Sequence, residues 1–113
     1  MSTITTAGGR LQGKVCIVTG SSSGIGRAIC LAYSKEGASL VCADLRPQAH
    51  SEIPEEVAVE THELIKHQCG RAIFVKTDVS AATEVENLIQ QTVAEYGRLD
   101  VWVLLVTFYP ALC

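Results

Sequence analysis

The sequence predicts an α/β fold on a parallel sheet, and three observations carry that expectation. Short apolar runs alternate along the chain with amphipathic helical segments, the arrangement that gives parallel strands joined by right-handed helical crossovers. A glycine-rich turn, Thr19-Gly20-Ser21-Ser22-Ser23-Gly24-Ile25-Gly26, lies between the first apolar run and the first helical segment. Of the 113 residues 48% are hydrophobic, ample for one buried core and too many for a disordered chain.

The first strand is expected over about Lys14 to Thr19, from the run Val15-Cys16-Ile17-Val18. A helix over about Gly24 to Lys35 follows, with Ile25, Ala28, Ile29 and Ala32 at helical spacing and Gly37 as its stop. Ser39 to Asp44 reads as the second strand, and the polar stretch Arg46 to Ile53 as a loop. Pro54 to Cys69 reads as a helix, with Pro54 in its first turn, Gly70 at its C-cap and sparse apolar positions at Val57, Leu64 and Ile65. Arg71 to Lys76 is the third strand. Ser80 is expected to cap the next helix, whose face carries Val85, Leu88, Ile89, Thr92, Val93 and Tyr96 and which Gly97 ends. A fourth strand is expected over about Val101 to Thr107. The expected strand order is 3-2-1-4, so strands one and four flank the point where the order reverses.

The glycine turn has a specific physical use. Gly20 lets the chain leave a strand in a tight turn, Gly24 lets backbone approach a pyrophosphate, and Gly26 lets the helix pack close to the strand. The leading N–H groups and positive end of the helix then face the phosphates, and the three serines can donate to phosphate or ribose. Strand, loop and helix in that order turn the pattern into a dinucleotide-binding expectation, with a plain Gly/Ser turn as the alternative. A nucleoside-triphosphate loop does not fit, because three residues separate Gly20 from Gly24 and no lysine follows. Asp44, at the end of the second strand, can accept from both ribose hydroxyls and would repel a 2′-phosphate, which favours NAD; its alternative is a solvated carboxylate. Arg46, two residues on, can accommodate such a phosphate and keeps NADP open.

Thr-Gly-x-x-x-Gly-Ile-Gly resembles the short-chain dehydrogenase/reductase family, in its compact single-domain branch. Leu40-Val41-Cys42-Ala43-Asp44 resembles that family's second strand with its acidic ribose ligand. Thr77-Asp78-Val79-Ser80 resembles the turn after its third strand, where an Asp meets the adenine, and Gly97 to Val103 resembles the lead into its fourth strand. The resemblance implies the N-terminal half of a doubly wound Rossmann domain over 11–103, between a flexible tail at 1–10 and a divergent segment at 104–113. It implies contacts to a nicotinamide dinucleotide from Gly20, Ser22, Ser23, Gly24, Ile25, Gly26, Asp44, Asp78 and Val79. Without it, Asp-x-Ser before a helix is equally an ordinary turn and cap. The implied parent reaction is hydride transfer between the nicotinamide and an alcohol or carbonyl.

The similarity breaks after Val103, where the family carries Asn-Asn-Ala-Gly and this chain reads Leu104-Leu105-Val106-Thr107. The family's catalytic Tyr-x-x-x-Lys has no counterpart: Gly37, Asp100 and Cys113 stand four residues after Tyr33, Tyr96 and Tyr109. The switch reads as a shifted frame, a retained intron or a gene-model error. Two functional readings follow: the cofactor-binding half of an oxidoreductase, inactive alone, or a non-catalytic nucleotide-binding fragment. A methyltransferase half-domain binding S-adenosylmethionine is a third. With the family's second half missing, strand four would be left uncovered, and self-association through that edge is expected.

A net charge of −3 with no basic block argues against nucleic acid and anionic membranes as partners. The apolar run Val101 to Tyr109 is far short of the roughly 20 residues that span a bilayer, and the start of the chain lacks a signal-peptide core, so a cytoplasmic setting is expected. Of five cysteines, Cys16 and Cys42 in strands and Cys30 and Cys69 in helices read as reduced, buried residues, and Cys113 as a terminal thiol. His62 and His67 are five apart and do not share a helix face, which favours a solvated surface over a metal site.

Overall fold

Strands β1 (Val15–Thr19), β2 (Ser39–Asp44), β3 (Arg71–Lys76) and β4 (Val101–Val103) form one parallel sheet in the order β3-β2-β1-β4. Helices α1 (Gly24–Lys35), α2 (Thr61–His67) and α3 (Ala82–Tyr96) connect them. This computed structural model describes residues 9–49, 53–54 and 58–104.

The two-residue period of the strands divides the core into two layers. Cys16 and Val18 of β1 join Leu40, Cys42, Cys30 and Ile65 on the face covered by α1 and α2. Ile17 joins Val41, Ala43, Val75 and Leu88 on the face covered by α3. Every residue of β1 is buried, as befits a parallel strand covered on both faces. Asp100 fastens β4 to β1: its Oδ2 accepts the Val15 N–H at 2.8 Å, and its own N–H donates to the Val15 carbonyl at 2.9 Å. Arg98, 2.7 Å from the other carboxylate oxygen, and the Val15 N–H hold the Asp100 carboxyl below the usual range.

The strand order, β1 to β3 and the bounds of α1 are as expected from sequence; β4 is shorter than expected, ending at Val103 with Leu104 already outside it, and the helices need corrections of detail. The buried side of α1 is Gly26, Arg27 and Cys30, whereas Ala28 and Ala32 are exposed and Ile25 is 73% exposed. Gly26 packs against the Gly20 carbonyl, and that contact, rather than the apolar spacing, sets the rotation of the helix.

Pro54 is helical, as expected, and so is Ala58, but the helix does not run on unbroken to Cys69: Val59 and Glu60 interrupt it and α2 begins at Thr61. Glu60 is extended at φ −65° and ψ 149°, while part of the expected helix, including Val57, falls outside the described residues. At its other end the left-handed position belongs to Cys69, at φ 68°, not to Gly70. Cys69 is therefore outside the helix and exposed, contrary to the expectation of a buried helical thiol. Gly70 serves close packing instead: a Cβ there would lie 2.4 Å from Ser34 Oγ and 2.7 Å from Ile65 Cγ2.

Helix α3 is capped by Ala81, one residue beyond the expected Ser80, whose hydroxyl turns back to Asp78. Leu88 and Thr92 centre its buried face, and Ile89 and Val93 lie partly outside it. Gly97 ends the helix with its N–H on the Val93 carbonyl, as expected. The rest of the expected fourth strand and the tail, residues 105–113, lie outside the described residues.

Candidate functional site

Three segments leave the C-terminal ends of β1, β2 and β3 and are tied together by hydrogen bonds. After β1, Gly20 and Gly24 adopt left-handed backbone angles, φ 65° and 61°. These let the loop fold back and present the first turn of α1 toward the end of the sheet. Nothing lies within 4 Å of where a Gly24 Cβ would stand, so the loop is open to solvent there. Gly26 is the opposite case: a Cβ would meet the Gly20 carbonyl oxygen at 2.0 Å. Of the expected trio, one glycine opens the loop outward and one closes it onto the turn.

The loop is pinned from beneath by the end of β2. The Ser21 N–H and hydroxyl both donate to the Ala43 carbonyl at 3.3 Å. The Ser22 N–H donates to Asp44 Oδ2 at 3.0 Å, and the Ser22 hydroxyl donates to the Arg46 carbonyl. Ser22 thus sits in the loop as expected, but its donors are turned inward. Asp44 also accepts the Leu45 N–H on Oδ1 at 2.7 Å. An ionised carboxylate offers about four acceptor positions, so bracing the loop does not by itself bar Asp44 from accepting a hydroxyl. Ser23 is the N-cap of α1 and makes no side-chain cap. The first turn of α1 holds no acidic residue, so the positive end of a 12-residue helix is not neutralised from within. Ile25 projects beside it as an exposed apolar side chain.

The third segment joins through the Thr77 N–H, which donates to the Asp44 carbonyl at 2.8 Å. Asp78 builds a tight turn: its Oδ1 accepts the Ser80 hydroxyl at 2.6 Å and the Ser80 N–H at 2.9 Å. Those bonds hold the Asp78 carboxyl below its ordinary range. Glu84, in the first turn of α3, accepts the Asp78 N–H at 2.7 Å. Asp78 therefore forms the turn that its sequence context allowed, but it does not cap α3, whose N-cap Ala81 has no side-chain cap. Val79 and Leu45 are exposed apolar residues at this same end of the sheet.

Two residues behind the loop were not singled out by the sequence. Thr61 is buried and donates to the Ser21 carbonyl at 2.7 Å. Arg27, 5% exposed, donates through Nη1 to the Val59 carbonyl at 2.7 Å and to Thr61 Oγ1 at 3.4 Å. Arg27 left one signal in the sequence, a cation in the first turn of a helix, where the dipole disfavours it. His62 packs on Phe74 with ring centroids 5.7 Å apart, so it is not the solvated side chain expected, whereas His67 is exposed. Among the described residues no group of three His, Cys, Asp or Glu side chains could hold a metal ion.

The sequence profile of the short chain dehydrogenase family matches residues 14–108, most of the chain. The chain belongs to this family. The matched span continues past Val103, beyond the point where the sequence motifs end. An uncharacterized oxidoreductase of Thermotoga maritima is 40% identical over 93 residues, covering 82% of this chain and 33% of the relative. A tropinone reductase-like protein of Erythroxylum coca is 37% identical over 92 residues, covering 81% of this chain and 30% of the relative. Among solved structures, a short chain dehydrogenase/reductase from Burkholderia phymatum in complex with NAD superposes with a TM-score of 0.69 at 28% identity, covering 81% of this chain and 30% of that one.

The chain thus spans about a third of the length of these relatives. What it holds is the NAD(P)-binding Rossmann sheet of short chain dehydrogenases, with strands in the order β3-β2-β1-β4. No helix among the described residues is long and apolar enough to cross a membrane.

Proposed function

We propose that the chain binds the adenosine diphosphate half of a nicotinamide dinucleotide, as the cofactor-holding part of a short chain dehydrogenase. The observation that carries this reading is the contrast between two glycines: Gly26 cannot accept a Cβ, whereas a Cβ on Gly24 would meet nothing within 4 Å, at the start of a helix whose first turn carries no acidic residue. A pyrophosphate there would meet the leading N–H groups of α1 from Gly24, Ile25 and Gly26, with Gly20 and Ser23 shaping the approach. Ser22 braces the loop from within. Asp44 would accept the ribose hydroxyls, and Asp78 and Val79 would border the adenine. Asp44 favours NAD, and Arg46 keeps NADP in view.

When bound, the nicotinamide supplies the hydride acceptor or donor. The residues of this loop and of the β2 and β3 ends would bind and orient the other half of the cofactor. The sequence has no Tyr-x-x-x-Lys to move a proton at a substrate oxygen, so the chain by itself is read as inactive. A cytoplasmic setting belongs to the same reading, since a reducing compartment keeps the exposed Cys69 a free thiol. Self-association through β4 does too, supported by an edge strand that leads into Leu104, 55% exposed.

Calorimetric titration with NAD, NADP and ADP-ribose tests the proposal. Binding of NAD and ADP-ribose with NADP weaker is expected. Turnover of either cofactor with alcohols or ketones by the purified chain would overturn the inactive reading.

A further inference from the structure

We infer that Thr61 is a positioning residue of the glycine loop, acting through the Ser21–Ser22 peptide; the inference rests on the nucleotide-binding reading of that loop. The two ends of this one peptide are gripped from different elements. Its carbonyl accepts the Thr61 hydroxyl at 2.7 Å, and its N–H donates to Asp44 Oδ2 at 3.0 Å. Rotation of the plane would break both bonds and displace Ser23 and Gly24, which follow at once and start α1.

Thr61 is suited to this role and not used for another. It is the first residue of α2, yet its hydroxyl reaches across to the loop, and the α2 N-cap, Glu60, makes no side-chain cap. Thr61 is 2% exposed, so water does not compete for the Ser21 carbonyl. A hydroxyl has one donor and two acceptor positions. Thr61 donates to Ser21 and accepts from Arg27 Nη1, which also holds the Val59 carbonyl just before α2. Arg27 lies in the first turn of α1, so the start of α1 is fixed to the approach to α2, and that approach to the loop. This closed circuit of Arg27, Thr61 and Ser21 keeps the leading N–H groups of α1 in one arrangement before any anion arrives, which lowers the ordering cost of binding.

The test compares Thr61→Val, which removes the hydroxyl at nearly constant shape, with Thr61→Ser, which restores it. Two readouts are taken on folded protein: ADP-ribose affinity and amide hydrogen exchange of residues 21–26. Thr61→Val should weaken ADP-ribose by about tenfold and speed exchange across the loop, whereas Thr61→Ser should stay within about twofold of the parent on both. If Thr61→Val does not fold, Thr61→Ala removes the same hydroxyl and takes its place. Parent-like affinity and exchange in a folded hydroxyl-less variant would overturn the inference, even if its melting midpoint falls. If the parent chain itself fails to bind ADP-ribose, the nucleotide reading fails, and loop exchange alone then decides whether Thr61 positions the peptide.

Discussion

Gly26 lies so close beneath Gly20 that a Cβ on it would stand 2.0 Å from the Gly20 carbonyl oxygen and 2.6 Å from its carbon. The obstructing atoms are backbone, so they cannot swing aside as a side chain would. Gly26→Ala must push α1 off the turn or distort the turn itself. A loss of about 1–3 kcal/mol is expected in a urea melt, the range for forcing extra atoms into a packed site. An unchanged midpoint would show that the loop relaxes around the methyl and that this contact does not set the rotation of α1.

Asp44 offers a different separation of roles, because it braces the loop through the Ser22 N–H as well as facing the proposed ribose. Asp44→Asn keeps an acceptor for that N–H and removes the charge. The preference for NAD over NADP should then fall by about tenfold, about 1.4 kcal/mol, as the repulsion of a 2′-phosphate is lost. Direct titration of both cofactors checks this. An unchanged ratio would reassign the ribose contact.

His62 gives the chain a pH dependence near neutrality. Burial beside Phe74 lowers its pKa below 6.5, outweighing the carboxylates of Glu63 at 3.3 Å and Glu60 at 3.8 Å. The unfolded chain therefore binds the proton more readily than the folded one. Its contribution to stability is present above about pH 6.5 and is lost as pH falls through that value toward the folded pKa. Urea midpoints should drop between about pH 8 and about pH 5.5, and His62→Gln should flatten that drop. A rise on acidification would mean that the two glutamates dominate.

Exposed apolar side chains on α3 and beyond β4 should make the isolated chain self-associate. Ile89 and Val93 lie partly outside the α3 core contact, and Leu104 follows the edge strand β4. Each such side chain left in water forgoes roughly 1.5–3 kcal/mol of burial, so pairing of copies is favoured. Light scattering should report oligomers that the double variant Val93→Lys, Leu104→Lys shifts toward monomer. A monodisperse monomer in the parent chain would contradict this.

The sequence disclosed most where one type of signal acted alone. β2 and β3 were legible to the residue, because apolar runs bounded by polar or turn residues leave little choice of ends. The glycine loop was legible because its strand-to-helix context is chemically specific. The face of α1 was not, because a glycine-to-backbone contact fixes it and carries no hydrophobic period. Cys69 was misplaced because glycine is the usual left-handed residue at a helix end, while here Gly70 is required by Ser34 and Ile65 one position later. Thr61 was invisible: it is an ordinary residue in an amphipathic stretch, and its partner Ser21 is 40 positions away. The inward turn of Ser22 could not be read either, since a serine in a phosphate loop and a serine bracing one look identical in one dimension.

The proposed function stands or falls with the pyrophosphate at Gly24, at the start of α1. The most direct measurement is calorimetric titration of ADP-ribose into the parent chain and into Gly24→Val, whose side chain would project into the open space at Gly24. Far-ultraviolet dichroism of the variant shows whether it keeps its fold despite the left-handed backbone at φ 61°, a strain of roughly 1–2 kcal/mol. Saturable binding by the parent and none by the folded variant is the expected result. Equal binding by both would contradict the account and move the nucleotide, if it binds at all, away from this loop.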